Sequence, residues 1–145
     1  METRNTILSQ KDLELLEAIV LRYGKIVSSE QIRDAIGQNV TRGAALQRMA
    51  GMSEAGWLIR LKKGVYLVVT DISTLGFTDV SELMIAQSFN LDSYISFESA
   101  LQYHHMFDQL LARINAVTIR TARTYQVLNT TYTFSSIKEE LYFGF

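Results

Sequence analysis

The stretch GWLIRLKKGVYLVV, residues 56–69, contains two β-rich runs, WLIRL and VYLVV, separated by a short polar turn. β-Branched, aromatic and aliphatic side chains in runs of this length favour strands. Lys62, Lys63 and Gly64 lie between the runs, and a glycine permits the tight backbone turn that joins adjacent strands. The pattern therefore predicts a β-hairpin whose tip carries two positive charges.

Two short helices are predicted at the start of the chain. The first begins after Ser9, whose side chain is suited to capping a helix, and ends at Gly24. Its apolar face is expected to consist of Leu13, Leu16, Val20 and Tyr23. The second begins at Ser28, where Gln31 completes a capping box, and it ends at Gly37.

A third helix is predicted to begin after Asn39 or Thr41 and to end at Gly56, directly before the hairpin. Its buried stripe is expected to consist of Ala45, Met49 and Met52. Gln47 and Arg48 lie away from that stripe, so they are expected to face outward.

Charge is distributed unevenly along the chain, although its formal net charge is only −1. Residues 1–69 hold ten Lys or Arg against seven Asp or Glu, whereas residues 70–145 hold four against eight. The basic excess is concentrated in residues 40–64, which contain five cationic side chains and one carboxylate. An anionic partner is therefore expected to bind there.

Three short helices followed by a hairpin predict a winged helix-turn-helix over residues 1–70, within an α+β chain. This arrangement presents its third helix to the major groove of double-stranded DNA, while the hairpin lies against the phosphate backbone. The candidates for phosphate contacts are Ser28, Arg60, Lys62 and Lys63, and those for base contacts are Arg42, Gln47 and Arg48. The alternative is a solvated basic surface with an ordinary hairpin turn.

The second half predicts a small mixed α/β domain over residues 79–145. Asp79 and Glu82 are expected to open a helix that runs towards Asn90, after a loop over residues 70–78. A short extended segment follows at residues 92–96, and strands are expected at residues 116–121 and 132–137. Between them, Ser96 is expected to cap a helix that carries Phe97, Ala100, Leu101 and His104.

Six segments resemble the AbiEi family of type IV antitoxins. In the first half they are LSQKDLELLEAIV, GKIVSSEQIRDAI and GWLIRLKKGVYLV, and in the second half SYISFESALQYHHM, NAVTIRTART and TYTFSSIKEELYFGF. The resemblance implies a DNA-binding repressor of its own promoter whose second domain serves antitoxicity, with a nucleotidyltransferase toxin as functional partner. It places DNA contacts on Arg42, Gln47, Arg48, Arg60, Lys62 and Lys63. Because family members commonly continue beyond the YFGF-like segment, the second domain is expected to be either a short variant or truncated.

Catalytic and cofactor sites are not expected in this sequence. The chain has no cysteine and no phosphate-loop, dinucleotide, hydrolase or zincin motif. Of its possible metal ligands, only His104 and Asp108 are spaced to share an ion, and no third ligand is apparent because His105 points elsewhere on a helix. Glu139 and Glu140 predict a solvated acidic strip. We therefore expect neither an enzyme nor a metal protein.

Three further predictions concern the partners and location of the chain. No apolar run is long enough to span a membrane, so a cytoplasmic protein without a membrane partner is expected. Two alternatives to a DNA-binding antitoxin stay open: a protein-interaction module that neutralises a toxin without specific DNA binding, and a repressor that responds to a small ligand. The oligomeric state is not determined by the sequence.

Overall fold

A computed structural model describes residues 8–70, 80–109 and 112–143. The chain divides into two compact units, Met1–Asp79 and Val80–Phe145, called unit 1 and unit 2 below. The described residues form five α-helices and two separate β-sheets, so the predicted α+β class is confirmed. Within these residues, no helix combines the length and the apolar character needed to cross a bilayer.

Unit 1 contains three helices and three strands. In chain order these are α1 Gln10–Tyr23, β1 Ile26–Ser28, α2 Ser29–Ile36, α3 Arg42–Glu54, β2 Leu58–Lys62 and β3 Val65–Val68. Each helix begins at a predicted capping residue: Ser9, Ser28 and Thr41 accept hydrogen bonds from backbone N–H groups of the first turn. These bonds satisfy donors that a helix start otherwise leaves unpaired, which explains why the starts could be predicted.

The buried face of α1 differs from the predicted one. Leu15, Leu16 and Ile19 are buried, whereas Leu13 is 54% exposed. Both sets fit the helical period, because α1 has apolar residues on more than half of its circumference. The prediction that Leu13 belongs to the core is therefore wrong, and contact with α2 and the sheet decides which face is buried.

The sheet of unit 1 has three strands in the order β1-β3-β2, with both pairs antiparallel. The predicted hairpin is present as β2 and β3, while β1 was not predicted. One face of the sheet and the three helices enclose a single apolar core. Its fully buried members include Ile19, Val27, Ile32, Leu58 and Val68.

Unit 2 contains two helices and a four-stranded sheet. The elements are α4 Glu82–Phe89, β4 Ser93–Ile95, α5 Phe97–Tyr103, β5 Arg113–Thr118, β6 Arg123–Val127 and β7 Thr130–Ser136, followed by a 3-10 helix at Glu139–Leu141. The strand order is β4-β5-β7-β6, in which β5 and β7 are parallel and the other pairs antiparallel. Phe89 packs on this sheet, with its ring stacked on Tyr125 at 4.2 Å.

Several boundaries in unit 2 differ from those predicted. The first helix is capped by Ser81, whose Oγ accepts from Leu83 N at 3.3 Å; Asp79 lies outside the described residues. Helix α5 follows Ser96 and carries Phe97, Ala100 and Leu101 as predicted, but the Ser96 side chain makes no capping hydrogen bond. Phe97 and Leu101 are 52% and 44% exposed, whereas Ser99 is buried. Ser99 Oγ accepts a hydrogen bond of 2.8 Å from Asn115 N, which places the buried side of α5 against β5.

Candidate nucleic-acid interface

The hairpin tip and the start of α2 lie side by side in unit 1. Ser28 pairs with Val65 of β3, and Val65 pairs on its other side with Lys62 of β2. Neighbouring strands are about 4.8 Å apart, so the backbones of Ser28 and Lys62 are separated by roughly 10 Å. The sheet register therefore aligns a predicted phosphate ligand from α2 with one from the hairpin.

A backbone hydrogen bond also connects the turn to α2. Ser29 N donates to Gly64 O at 2.9 Å, so the two-residue turn Lys63-Gly64 is held against the first turn of the helix. Gly64 has a φ of +77°, a conformation that is strained for residues with a side chain. The glycine thus lets the turn fold back onto α2 while Lys63 stays exposed at the tip.

A bulge in β2 arranges the basic side chains that lead to this tip. The pairing shifts between Arg60, which is opposite Tyr66, and Lys62, which is opposite Val65. Leu61 is the extra residue, and its side chain is 5% exposed and buried in the core. The bulge lets the strand bury Leu61 while Arg60 on one side of it remains exposed.

The capping box at Ser28 orders the amino-terminal end of α2. Ser28 Oγ accepts from Gln31 N at 3.2 Å, and Gln31 Oε1 accepts from Ser28 N at 2.9 Å. Ser28 Oγ acts as acceptor in this bond, so its hydroxyl hydrogen is available to an anion. The positive end of the helix dipole lies at the same place.

The amino-terminal end of α3 carries a second concentration of positive charge. Thr41 Oγ1 caps the helix by accepting from Ala44 N at 3.3 Å, and Arg42 is the first helical residue. The first turn of α3 contains no acidic side chain. The positive end of its dipole is therefore not compensated locally, and it adds to the charge of the exposed Arg42.

The exposed face of α3 offers few hydrogen-bonding groups to a base edge. Gln47 is exposed, but its neighbours on this face are small or apolar: Gly43, Leu46, Ala50 and Gly51. Leu46 is 48% exposed, and a Cβ built on either glycine would meet no atom within 4 Å. Of the three residues predicted to contact bases, Arg42 and Gln47 are exposed on α3.

Arg48, unlike Gln47, is partly buried and paired with residues of α1. Its Nε donates to Asp12 Oδ1 of α1 at 2.7 Å, and its Nη2 donates to Lys11 O at 3.1 Å. Burial alone would raise the pKa of Asp12, but the hydrogen bonds from Arg48 and Ser9 and the charge of Arg48 together lower it below 3.8. Arg48 is thus engaged by α1, which makes it a residue that positions α3.

Three of the predicted cationic ligands have no acidic partner in the described part of the chain. Arg42, Arg60 and Lys63 form no ion pair with the residues that the structure describes. The structure brings Ser28, Lys62 and Lys63 together at the hairpin tip, while Arg42 and Gln47 lie on α3 without a hydrogen bond to them. A polyanion would supply the missing counter-charge for the cations that are unpaired.

No known family model matches this chain, and no curated protein matches it either. The likeness to AbiEi antitoxins accordingly stays a prediction from the quoted motifs.

Sequence reasoning missed two residues of this surface. Ser29 contributes the N–H that holds the turn, and a backbone donor leaves no signal in the sequence. Asp12 could have been noted as an acidic residue in the first turn of α1, but its pairing with a side chain 36 positions later depends on the tertiary fold.

The histidines of unit 2 are not part of a metal cluster in the described residues. His104, His105 and Asp108 are all exposed. No group of three potential metal ligands occurs within residues 8–70, 80–109 and 112–143. His104 is the residue that ends α5, where its N–H donates to Ala100 O at 3.1 Å.

Proposed function

We propose that residues 1–70 form a winged helix-turn-helix that binds double-stranded DNA, with α2 and α3 as the helix pair and the β2–β3 hairpin as the wing. The chain then acts as a transcriptional repressor of its own promoter. The observation that carries this proposal is the register that aligns Ser28, Lys62 and the turn at Lys63 beside the start of α2. This register supports contacts from α2 and from the hairpin tip to one phosphate backbone.

The role of each residue in the proposed complex follows from its surroundings. Lys62, Lys63 and Arg60 contact phosphates from the wing, and the Ser28 hydroxyl with the N–H groups of α2 adds neutral donors. Arg42 and Gln47 reach base edges from the amino-terminal part of α3. Arg48 holds α3 against α1, so it acts on DNA binding through the orientation of that helix.

Sequence discrimination in this complex is expected to depend strongly on DNA shape. Only two side chains on the exposed part of α3 can read bases, whereas several groups contact the backbone. A protein with more contacts to the DNA backbone than to bases binds with a large electrostatic contribution, and it gains specificity from the deformability of the DNA site.

Electrophoretic retardation of the promoter fragment by the full chain tests the proposal. Three cationic phosphate contacts per protomer, from Arg60, Lys62 and Lys63, give a log-log dependence of affinity on salt with a slope of about −3. Lys63→Gln should make the slope shallower by about 1 and weaken binding similarly on different sequences. Arg113→Gln in unit 2 removes the same charge elsewhere and should leave the slope unchanged. Absence of retardation at low salt would refute DNA binding.

The antitoxin part of the proposal has its own test. If the resemblance to AbiEi antitoxins reflects function, a gene for a nucleotidyltransferase lies next to the gene for this chain. Growth arrest caused by expression of that enzyme should be relieved by co-expression of this protein. Persistent arrest with the antitoxin candidate present at high level would separate DNA binding from antitoxicity.

One observation favours a second candidate, a protein-interaction module. The exposed part of α3 is partly apolar: Leu46 is 48% exposed between Gly43 and Gly51, and Val40 before the helix is 39% exposed. Such a face suits another protein as well as a groove. Leu46→Lys discriminates the two: it should abolish a protein complex, but preserve or strengthen DNA retardation.

A further inference from the structure

Unit 2 contains a polar concavity of about 210 Å³ where β5 ends and β6 begins. It is called the arginine pocket here and is lined by Asn90, Arg120, Thr121, Arg123, Tyr125 and Phe134. None of these residues belongs to the surface proposed to bind DNA. We therefore expect the arginine pocket to have a function separate from DNA binding.

A buried hydroxyl fixes the backbone beneath the arginine pocket. Thr118 is fully buried, and its Oγ1 accepts from Asn90 Nδ2 at 2.7 Å and from Arg120 N at 3.0 Å. The same hydroxyl donates to Asp92 O at 2.9 Å. The ends of α4 and β5 are thereby joined through one side chain, so the pocket exists before any ligand arrives.

Arg120 is held in place by an ion pair that leaves most of its donors unused. Its Nε donates to Asp92 Oδ2 at 2.7 Å. The four N–H groups on its Nη atoms make no hydrogen bond to the described residues, and the side chain is 69% exposed. Asp92 thus orients the guanidinium without occupying the edge that a planar or tetrahedral oxyanion would use.

Arg123 contributes the second guanidinium. It is the first residue of the edge strand β6, it is exposed, and it forms no ion pair with the described residues. Tyr125 lies two residues later on the same face of the strand. The Tyr125 ring is stacked on Phe89 and meets the edge of Phe134 at 5.9 Å, so the aromatic wall beside Arg123 is rigid.

Two arginines in one pocket are unusual in unit 2, because this unit has more acidic than basic side chains. Residues 80–145 hold four Lys or Arg and six Asp or Glu, and two of the four cations line the arginine pocket. Asp92 and the carboxyl end of α4 at Asn90 contribute negative charge nearby. A bound anion consequently needs both guanidinium groups.

We propose that the arginine pocket binds a phosphate monoester. Two guanidinium groups match the charge and the acceptor geometry of a phosphate dianion, and Thr121 adds a hydroxyl. The volume is below the roughly 300 Å³ at which pockets for drug-sized ligands begin, so the pocket holds a phosphate group and only a small part of the molecule that carries it. The Tyr125 side of the pocket can contact the sugar or base of a nucleotide. This proposal goes beyond DNA binding and does not depend on it.

Titration of the full chain, followed by amide chemical shifts at constant ionic strength, tests the proposal. Inorganic phosphate and uridine monophosphate serve as the two probes, and both should give saturable shifts at residues 120–125. Tighter binding of the monophosphate identifies a nucleotide as the source of the phosphate, whereas equal binding identifies free phosphate. The proposal is overturned if neither probe gives a saturable shift at these residues.

Single substitutions test whether phosphate binds in the arginine pocket. Arg123→Gln and Arg120→Gln should each weaken binding roughly tenfold or more, because a charge-assisted contact to the phosphate is lost. Arg113→Gln, at the opposite end of β5, is the matched control and should bind as the parent does. Lys63→Gln removes a cation from the proposed DNA surface and should change only DNA retardation. Equal binding by Arg123→Gln and the parent protein would refute the pocket without affecting the DNA proposal.

Discussion

Arg48 on α3 and Asp12 on α1 form an ion pair with an Nε–Oδ1 distance of 2.7 Å. Both side chains are largely shielded from water, with 31% and 25% of their surfaces exposed. Arg48 also donates from Nη2 to Lys11 O, so one guanidinium makes two contacts to the first turn of α1. The position of α3 is therefore coupled to the first turn of α1.

This pair predicts a measurable coupling energy in unit 1. A double-mutant cycle of Arg48→Gln and Asp12→Asn should give about 1 kcal/mol, because the pair is charge-assisted and partly buried. The cycle is measured by urea unfolding followed by the fluorescence of Trp57, the single tryptophan and a buried core residue.

Arg22 and Asp34 provide the comparison for that cycle. They are 3.2 Å apart, but their side chains are 65% and 49% exposed. Their coupling should be only about 0.3 kcal/mol, since water screens an exposed pair.

The positioning role of Arg48 has a contrary outcome. If Arg48→Gln left the free energy of unfolding unchanged yet relaxed base preference in DNA binding, Arg48 would be a base-reading residue and the positioning role would be wrong.

The Asp12 carboxylate should make the stability of unit 1 sensitive to acid. The folded state lowers the pKa of Asp12 below 3.8, so the ionised form is favoured by folding. Its contribution is fully present above pH 3.8 and is lost as the pH falls through the lower folded value. The free energy of unfolding of unit 1 should thus decrease below that pH, and Asp12→Asn should reduce this decrease. An unchanged acid profile in Asp12→Asn would contradict the assignment.

The elements whose boundaries carry local signals could be predicted from the sequence. Ser9, Ser28 and Thr41 cap their helices as their side chains predicted, and Gly24 and Gly37 end two of them. The hairpin was equally evident, because its runs and its turn are contiguous. In each case the chemistry that fixes the boundary lies within a few residues.

The features that were missed depend on contacts between distant residues. Strand β1 has three residues and forms because β3 offers it a partner, and β6 contains mostly polar side chains on an edge. Leu13 was assigned to the wrong face because α1 is apolar on two sides. The ion pair of Arg48 with Asp12 was not predicted, because the two residues lie 36 positions apart.

Backbone strain at the tip of the β2–β3 hairpin predicts the effect of a substitution at Gly64. A Cβ there would lie 3.6 Å from Ser29 Oγ, which is ordinary contact, but the φ of +77° disfavours any L side chain. Gly64→Ala should destabilise unit 1 by about 1 kcal/mol. Gly51→Ala is the control: this residue is helical with open space around it, so alanine should stabilise by roughly 0.5–1 kcal/mol. If Gly64→Ala and Gly51→Ala changed the free energy of unfolding equally, as followed by Trp57 fluorescence, strain at the turn would be excluded.

The hydroxyl of Thr118 predicts a loss of stability that is confined to unit 2. Thr118→Val keeps the shape of the side chain but removes the oxygen that joins Asn90, Asp92 and Arg120. Because these groups lose a partner at a fully buried position, the free energy of unfolding should fall by about 2–3 kcal/mol. Thr124→Val, at an exposed position of β6, should be nearly neutral. Far-UV circular dichroism should show the loss, while Trp57 fluorescence should not, since Trp57 lies in unit 1. A neutral Thr118→Val would mean that the hydroxyl does not hold the arginine pocket together.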